Sequence, residues 1–111
     1  MMSSGDSTLE FTYYYKITIE EEQSQNQLLA LINSYVHESL RQFNADTKMS
    51  LIYSTQYFFR ETINKGVYNL ECDIIDFTPE KIALEAYLYS EEQAKIIVKW
   101  FGAYEHIKND Q

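Results

Sequence analysis

Two carboxylates, Glu71 and Asp73, flank the single cysteine of the chain in Leu70-Glu71-Cys72-Asp73-Ile74. On a strand, residues two apart share a face, so the acids would sit side by side with the thiol on the opposite side. Paired carboxylates can divide acid and base roles when their surroundings push their pKa values apart. Here the acids alternate with apolar residues and read as the wet face of a strand, where such tuning is weak. Cys72 points with Tyr68, Leu70 and Ile74, and no base is near it in sequence to lower its pKa. It reads as inert packing.

The two histidines, His37 and His106, lack the spacing to each other or to cysteine that a zinc site needs. Glu20-Glu21-Glu22 has the composition of a metal-binding run. It reads instead as a solvated connection whose charge suits the positive end of a following helix. There is no glycine-rich phosphate loop, nucleophile elbow, HExxH or EF-hand pattern. The sequence therefore leads to no catalytic residue, no cofactor and no metal, and to a chain that is not an enzyme.

The 111 residues fit one domain, with 17 acids against nine bases and a net charge of −8. The bases are scattered, which argues against direct binding to nucleic acid or to an anionic membrane surface. An acidic surface suits a basic protein partner, or solubility alone. One cysteine permits no intrachain disulfide, residues 1–7 show no secretory signal, and no apolar run is long enough to span a bilayer. The expected location is cytoplasmic.

The elements that must position these residues follow from periodicity. In 8–20 the odd positions Leu9, Phe11, Tyr13, Tyr15, Ile17 and Ile19 alternate with polar ones, the pattern of a half-buried strand. Ser24 with Gln27 forms a capping box, and Leu28, Ile32, Tyr35, Val36, Leu40 and Phe43 continue as an amphipathic helix over 24–44. Residues 48–60 and 67–76 alternate and are joined by a turn at Asn64-Lys65-Gly66, so they read as a hairpin. Segment 78–89 carries two signals. Thr78-Pro79-Glu80 could start a helix, whereas Ile82, Leu84, Ala86 and Leu88 alternate as in a strand; strand is the favoured reading. Ser90 with Gln93 resembles a second capping box, and 91–107 reads as a helix with an apolar arc around Trp100 and Phe101.

The expected fold is a single-domain α+β two-layer sandwich over residues 8–111, behind a flexible tail at 1–7. Its order is β-α-β-β-β-α, with a four-stranded, mainly antiparallel sheet and two helices on one face. The first strand could lie parallel to a neighbour through the helix crossover. The α-β-β-β-α order of 24–107 is that of double-stranded-RNA-binding domains, but Glu91-Glu92-Gln93-Ala94-Lys95 is acidic where such a domain needs phosphate contacts, so that activity is not implied.

The uncovered sheet face would carry Tyr14, Glu71, Asp73, Glu85, Tyr87 and Tyr89, with Ile52 and Phe58 beside them. Aromatic anchors in a polar surround suit protein binding. The functional expectation is a small, acidic, non-enzymatic module of the inhibitor or immunity type that occupies a basic surface of a partner protein. The alternatives are a structural or chaperone-like homo-oligomer, pairing through the open face or the C-terminal helix, and a ligand-binding or enzymatic domain whose non-local site includes Tyr14 and His37.

Overall fold

The computed structural model describes residues 11–43 and 48–107. Seven strands and one helix follow in the order β1 (Thr12–Ile19), β2 (Gln23–Ser24), α1 (Gln25–Phe43), β3 (Met49–Phe58), β4 (Thr62–Ile63), β5 (Gly66–Phe77), β6 (Lys81–Ser90) and β7 (Ile96–His106). Five of the strands form one sheet in the order β1-β5-β6-β7-β3, and β2 pairs with β4 in a two-residue ribbon. Every pairing is antiparallel.

Helix α1 forms where the capping box places it. The Gln27 N–H donates to Ser24 Oγ at 3.2 Å, and the Ser24 N–H donates to Gln27 Oε1 at 2.9 Å. Its buried stripe is Leu28, Ile32, Val36 and Leu40, one residue per turn. That stripe lies against the inner face of the sheet: Ile17 and Ile19 of β1, Leu70 and Cys72 of β5, Leu84 and Leu88 of β6, and Val98, Trp100 and Tyr104 of β7. Trp100 fits because Gly102 stands next to it on the same face; a Cβ at Gly102 would lie 2.3 Å from the indole ring.

The structure corrects the sandwich of four strands and two helices. The sheet has five strands, and α1 is the single helix among the described residues. The segment expected as the C-terminal helix is β7. Its apolar arc is the sum of two sheet faces, Val98, Trp100, Gly102 and Tyr104 inward and Phe101 and Ala103 outward. The cap signal at Ser90 serves a hairpin turn instead: the Gln93 N–H donates to Ser90 Oγ, and Ala94 takes a positive φ of 57°. The Thr78 signal is spent the same way, its Oγ accepting from the Lys81 N–H at 3.0 Å as β5 turns into β6. The strand reading of 78–89 is therefore the right one.

Two pairings also differ from expectation. β3 and β5 are not a hairpin; β3 pairs with β7, and β5 lies between β1 and β6. Among the described residues β1 has no parallel neighbour. The Asn64-Lys65-Gly66 turn does form, with Gly66 at φ 154°. Residues 1–10 and 44–47, including the expected tail and the first residues of the first expected strand, lie outside the described residues.

Candidate functional site

The ribbon β2–β4 sets Ser24 against Thr62, which brings the chain end of β3 to the start of α1. The Gln25 side-chain amide donates to the Arg60 carbonyl at 3.0 Å and holds the two segments together. Ser24, Gln25, Asn26 and Glu61 then line an open cleft of about 400 Å³ at the helix N-terminus. First-turn N–H groups have no intrahelical acceptor and carry the positive end of the helix dipole. The cleft thus joins the helix start to the Asn26 amide and the Glu61 carboxylate, with Ser24 Oγ and the Gln25 amide already bonded to the Gln27 N–H and the Arg60 carbonyl. Such a set can hold a developing oxyanion and move a proton.

The sequence reading misses this cleft. The capping box marks the helix start, but Glu61 is an unremarkable acid at the end of a strand. Only the β2–β4 pairing, two residues long, joins it to Ser24.

The six residues expected on the open face do share it. In register, Tyr14 lies beside Glu71, Glu71 beside Tyr87, Asp73 beside Glu85, and Asn69 beside Tyr89. Tyr14 is 67% exposed, while Glu71, Asp73, Glu85, Tyr87 and Tyr89 are half-buried among one another. The Tyr87 hydroxyl donates to Glu85 Oε1 at 2.7 Å and its pKa is pushed up to about 12, chiefly by that bond. Glu71 is pushed up to about 7, first by burial and then by the hydrogen bond and charge of Asp73.

Phe58 does not flank this face as expected, and Ile52 stands unpaired in a bulge of β3. Register shifts between Leu51 and Tyr53, and beyond that bulge Tyr53 and Tyr57 face outward while Phe58 pairs with Val98 on the inner side.

The remaining candidates stay apart. Cys72 is fully buried, and burial pushes its thiol up to about 11, so it is no nucleophile. His37 sits on α1, edge-on to Tyr104 at 5.7 Å, on the opposite side of the sheet from Tyr14; a site shared by those two residues does not exist. Arg41 beside it is held by a two-pronged contact with Glu38. No group of three or more His, Cys, Asp or Glu side chains that could hold a metal occurs among the described residues. No helix among them is long and apolar enough to cross a membrane.

A long helix cradled by a five-stranded antiparallel sheet of this strand order is the hotdog fold of thioesterase-like proteins. The chain is similar in structure to the acyl-CoA hydrolase of Staphylococcus aureus in complex with butyryl coenzyme A, with a TM-score of 0.76 and 6% identity over 92% of this chain and 66% of that one. It is also similar to a 1,4-dihydroxy-2-naphthoyl-CoA thioesterase from Synechocystis, with a TM-score of 0.68 and 14% identity over 89% and 84% of the two chains. Zebra fish thioesterase superfamily member 2 gives a TM-score of 0.75 at 7% identity, over 87% and 75%. At these identities the likeness is one of fold. No protein-family model matches the sequence, and no curated protein matches it significantly.

These likenesses overturn the expectation of a non-enzymatic inhibitor or immunity-type protein. The architecture recurs in structures named as thioesterases and hydrolases, so the absence of a local catalytic motif does not argue against an enzyme. The broad apolar arc around Trp100 and Phe101, which motivated the chaperone-like alternative, belongs to a strand whose inner face is buried and whose outer face is half-covered. The C-terminal helix offered there as a dimer surface does not form.

Proposed function

We propose that the chain hydrolyses acyl thioesters at the N-terminus of α1. The observation that carries this reading is the cleft of Ser24, Gln25, Asn26 and Glu61 at the start of the helix, in a fold shared with thioesterases. Glu61 takes a proton from water as the oxygen attacks the thioester carbonyl carbon. The carbonyl oxygen becomes an oxyanion, held by first-turn N–H groups and the helix dipole. The C–S bond then breaks, the thiolate takes the proton back from Glu61, and a carboxylic acid and a thiol leave. The Asn26 amide orients the water or the carbonyl.

Recognition centres on the thioester rather than on a phosphorylated carrier, because nine bases against 17 acids leave no basic cluster for several phosphates. The test is thiol release by the full chain from S-butyryl-N-acetylcysteamine and from butyryl-CoA. Both should be cleaved with kcat/KM within about tenfold of each other, and Glu61→Gln should lower kcat by about 100-fold or more, the usual scale for losing a general base. No thiol release above background from either would overturn the reading.

A homodimer through the β3 edge fits the same account. Among the described residues β3 ends the sheet with its outer edge unpaired, and its segment Met49–Phe58 has no charged residue in a chain of net charge −8. Leu51, Ile52, Tyr53 and Tyr57 are each about half exposed there or more. Long apolar edges are normally covered, and two copies of an uncharged strand can pair antiparallel across a two-fold without repulsion. The lone buried thiol suits a reducing, cytoplasmic setting.

A further inference from the structure

The chain passes from β3 to β4 through Phe59, Arg60 and Glu61, which belong to neither strand. A connection with no ladder of its own is placed by what its neighbours offer its polar groups. Three bonds place this one. The Phe59 N–H donates to the Ile97 carbonyl of β7 at 2.9 Å. The Arg60 carbonyl accepts from the Gln25 side-chain amide at 3.0 Å. The Arg60 guanidinium donates through Nη2 to Gln93 Oε1 at 3.1 Å. Gln93 lies in the turn between β6 and β7 and takes no part in lining the cleft. Its backbone is well anchored there: the Gln93 N–H donates to Ser90 Oγ, and the Ala94 N–H donates to the Ser90 carbonyl at 2.7 Å. Arg60 is half-buried, whereas Glu61 next to it is exposed. Glu61 belongs to neither of the ion pairs of the described residues, Lys16–Glu91 and Arg41–Glu38. Its place in the cleft is therefore set by the backbone that Arg60 anchors on one side and the β2–β4 ribbon on the other.

We propose, resting on the hydrolysis read at that cleft, that Gln93 positions the Glu61 carboxylate by acting through Arg60. Gln93 touches no reacting atom. Its amide oxygen fixes the side chain of Arg60, while Gln25 fixes the Arg60 carbonyl, so the residue that leads into Glu61 is gripped between turn and helix. Two grips on one residue oppose rotation of the peptide plane, and that plane sets where the Glu61 side chain begins. A misplacement of about 1 Å at a reacting centre can cost up to about 100-fold in rate. Supports of this kind, outside the reacting groups, are what hold a site to its working geometry. The grip needs only an acceptor at position 93. A carboxylate there would serve as well as the amide oxygen, because an ionised acceptor strengthens the bond to a guanidinium.

The experiment is a double-mutant cycle in the full chain, read as thiol release from S-butyryl-N-acetylcysteamine and as amide hydrogen exchange. Gln93→Leu and Arg60→Met remove the two ends of one bond and keep the side-chain bulk. Each should lower kcat about tenfold with KM within about twofold, because only the placement of the base changes. The double variant should be no slower than either single one, since both remove the same bond. Gln93→Glu should stay within about twofold of the wild type. All four should melt within about 4 °C of the wild type, the scale of one exposed hydrogen bond. Wild-type turnover in Gln93→Leu, additive losses in the double variant, no rescue by Gln93→Glu, or a much larger fall in melting temperature would each overturn the proposal. Hydrogen exchange separates this outcome from failure of the hydrolysis itself. Exchange at the Glu61 and Thr62 amides should be at least about fivefold faster in Gln93→Leu than in the wild type. If the wild type released no thiol, the hydrolysis would fall and exchange would decide: faster exchange would keep Gln93 as the anchor of Glu61, and unchanged exchange would overturn it.

Discussion

Truncating the three consecutive tyrosines should cost unequal amounts. Tyr15 is half-buried, packs its ring at a tilt against Tyr35 with centroids 4.8 Å apart and shares a hydrogen bond of 2.8 Å with Ser39, so Tyr15→Ala should cost about 3 kcal/mol in urea denaturation. Tyr13 shares that inner face. Tyr14 points outward and is 67% exposed, so Tyr14→Ala should stay within about 0.5 kcal/mol. Equal losses at all three would mean that both sheet faces are covered. Gly102 is the converse case. Its Cβ would meet the buried Trp100 ring, and overpacking makes Gly102→Ala cost about 1–3 kcal/mol, read as a lowered melting temperature. Glu71 sets a pH dependence. Its folded pKa of about 7 lies above the ordinary value of 4.5, so the protein favours its neutral form. The stability this brings is fully present below pH 4.5 and is lost as pH rises through about 7. Asp73, Glu85, Tyr14, Tyr87 and Lys99 share that face. Glu71→Gln should flatten the fall in melting temperature between pH 5 and 8, and an unchanged slope would contradict the assignment.

The helix and three of the strands are legible in the sequence because each has one buried face, so period 3.6 or period 2 shows directly. The Ser24–Gln27 capping box even survives as two observed hydrogen bonds. β7 is not legible because it is half-covered on one face and buried on the other, so its apolar residues fall on every side of a helical wheel as well. Ser90 and Thr78 add to the ambiguity. A hydroxyl that accepts from N–H groups two or three residues on serves a helix cap or a hairpin turn equally, and tertiary pairing chooses. The bulge after Leu51 exchanges the faces of β3 and hides which of its rings are outward. For β3 itself the expected outcome concerns assembly. A lysine pair, Leu51→Lys with Tyr57→Lys, should shift sedimentation from dimer to monomer, because it charges an uncharged free edge. A wild-type chain that sediments as a monomer at tens of micromolar would contradict the dimer.

On the scale of the whole molecule, the open face was within reach of sequence reasoning and the cleft was not. Tyr14, Glu71, Asp73, Glu85, Tyr87 and Tyr89 converge because period two alone sorts them, whatever the strand order. Glu61 joins Asn26 through a ribbon of two residues, and no periodicity reports a contact so short. The acidic balance that favours a binding protein is equally compatible with a hydrolase whose substrate is recognised at an uncharged thioester. The most direct test of this account is thiol release from S-butyryl-N-acetylcysteamine by the full chain and by its Glu61→Gln variant. The account expects turnover by the wild type and a loss of about 100-fold or more in the variant. Equal thiol release by the two proteins, or none by either, would contradict it.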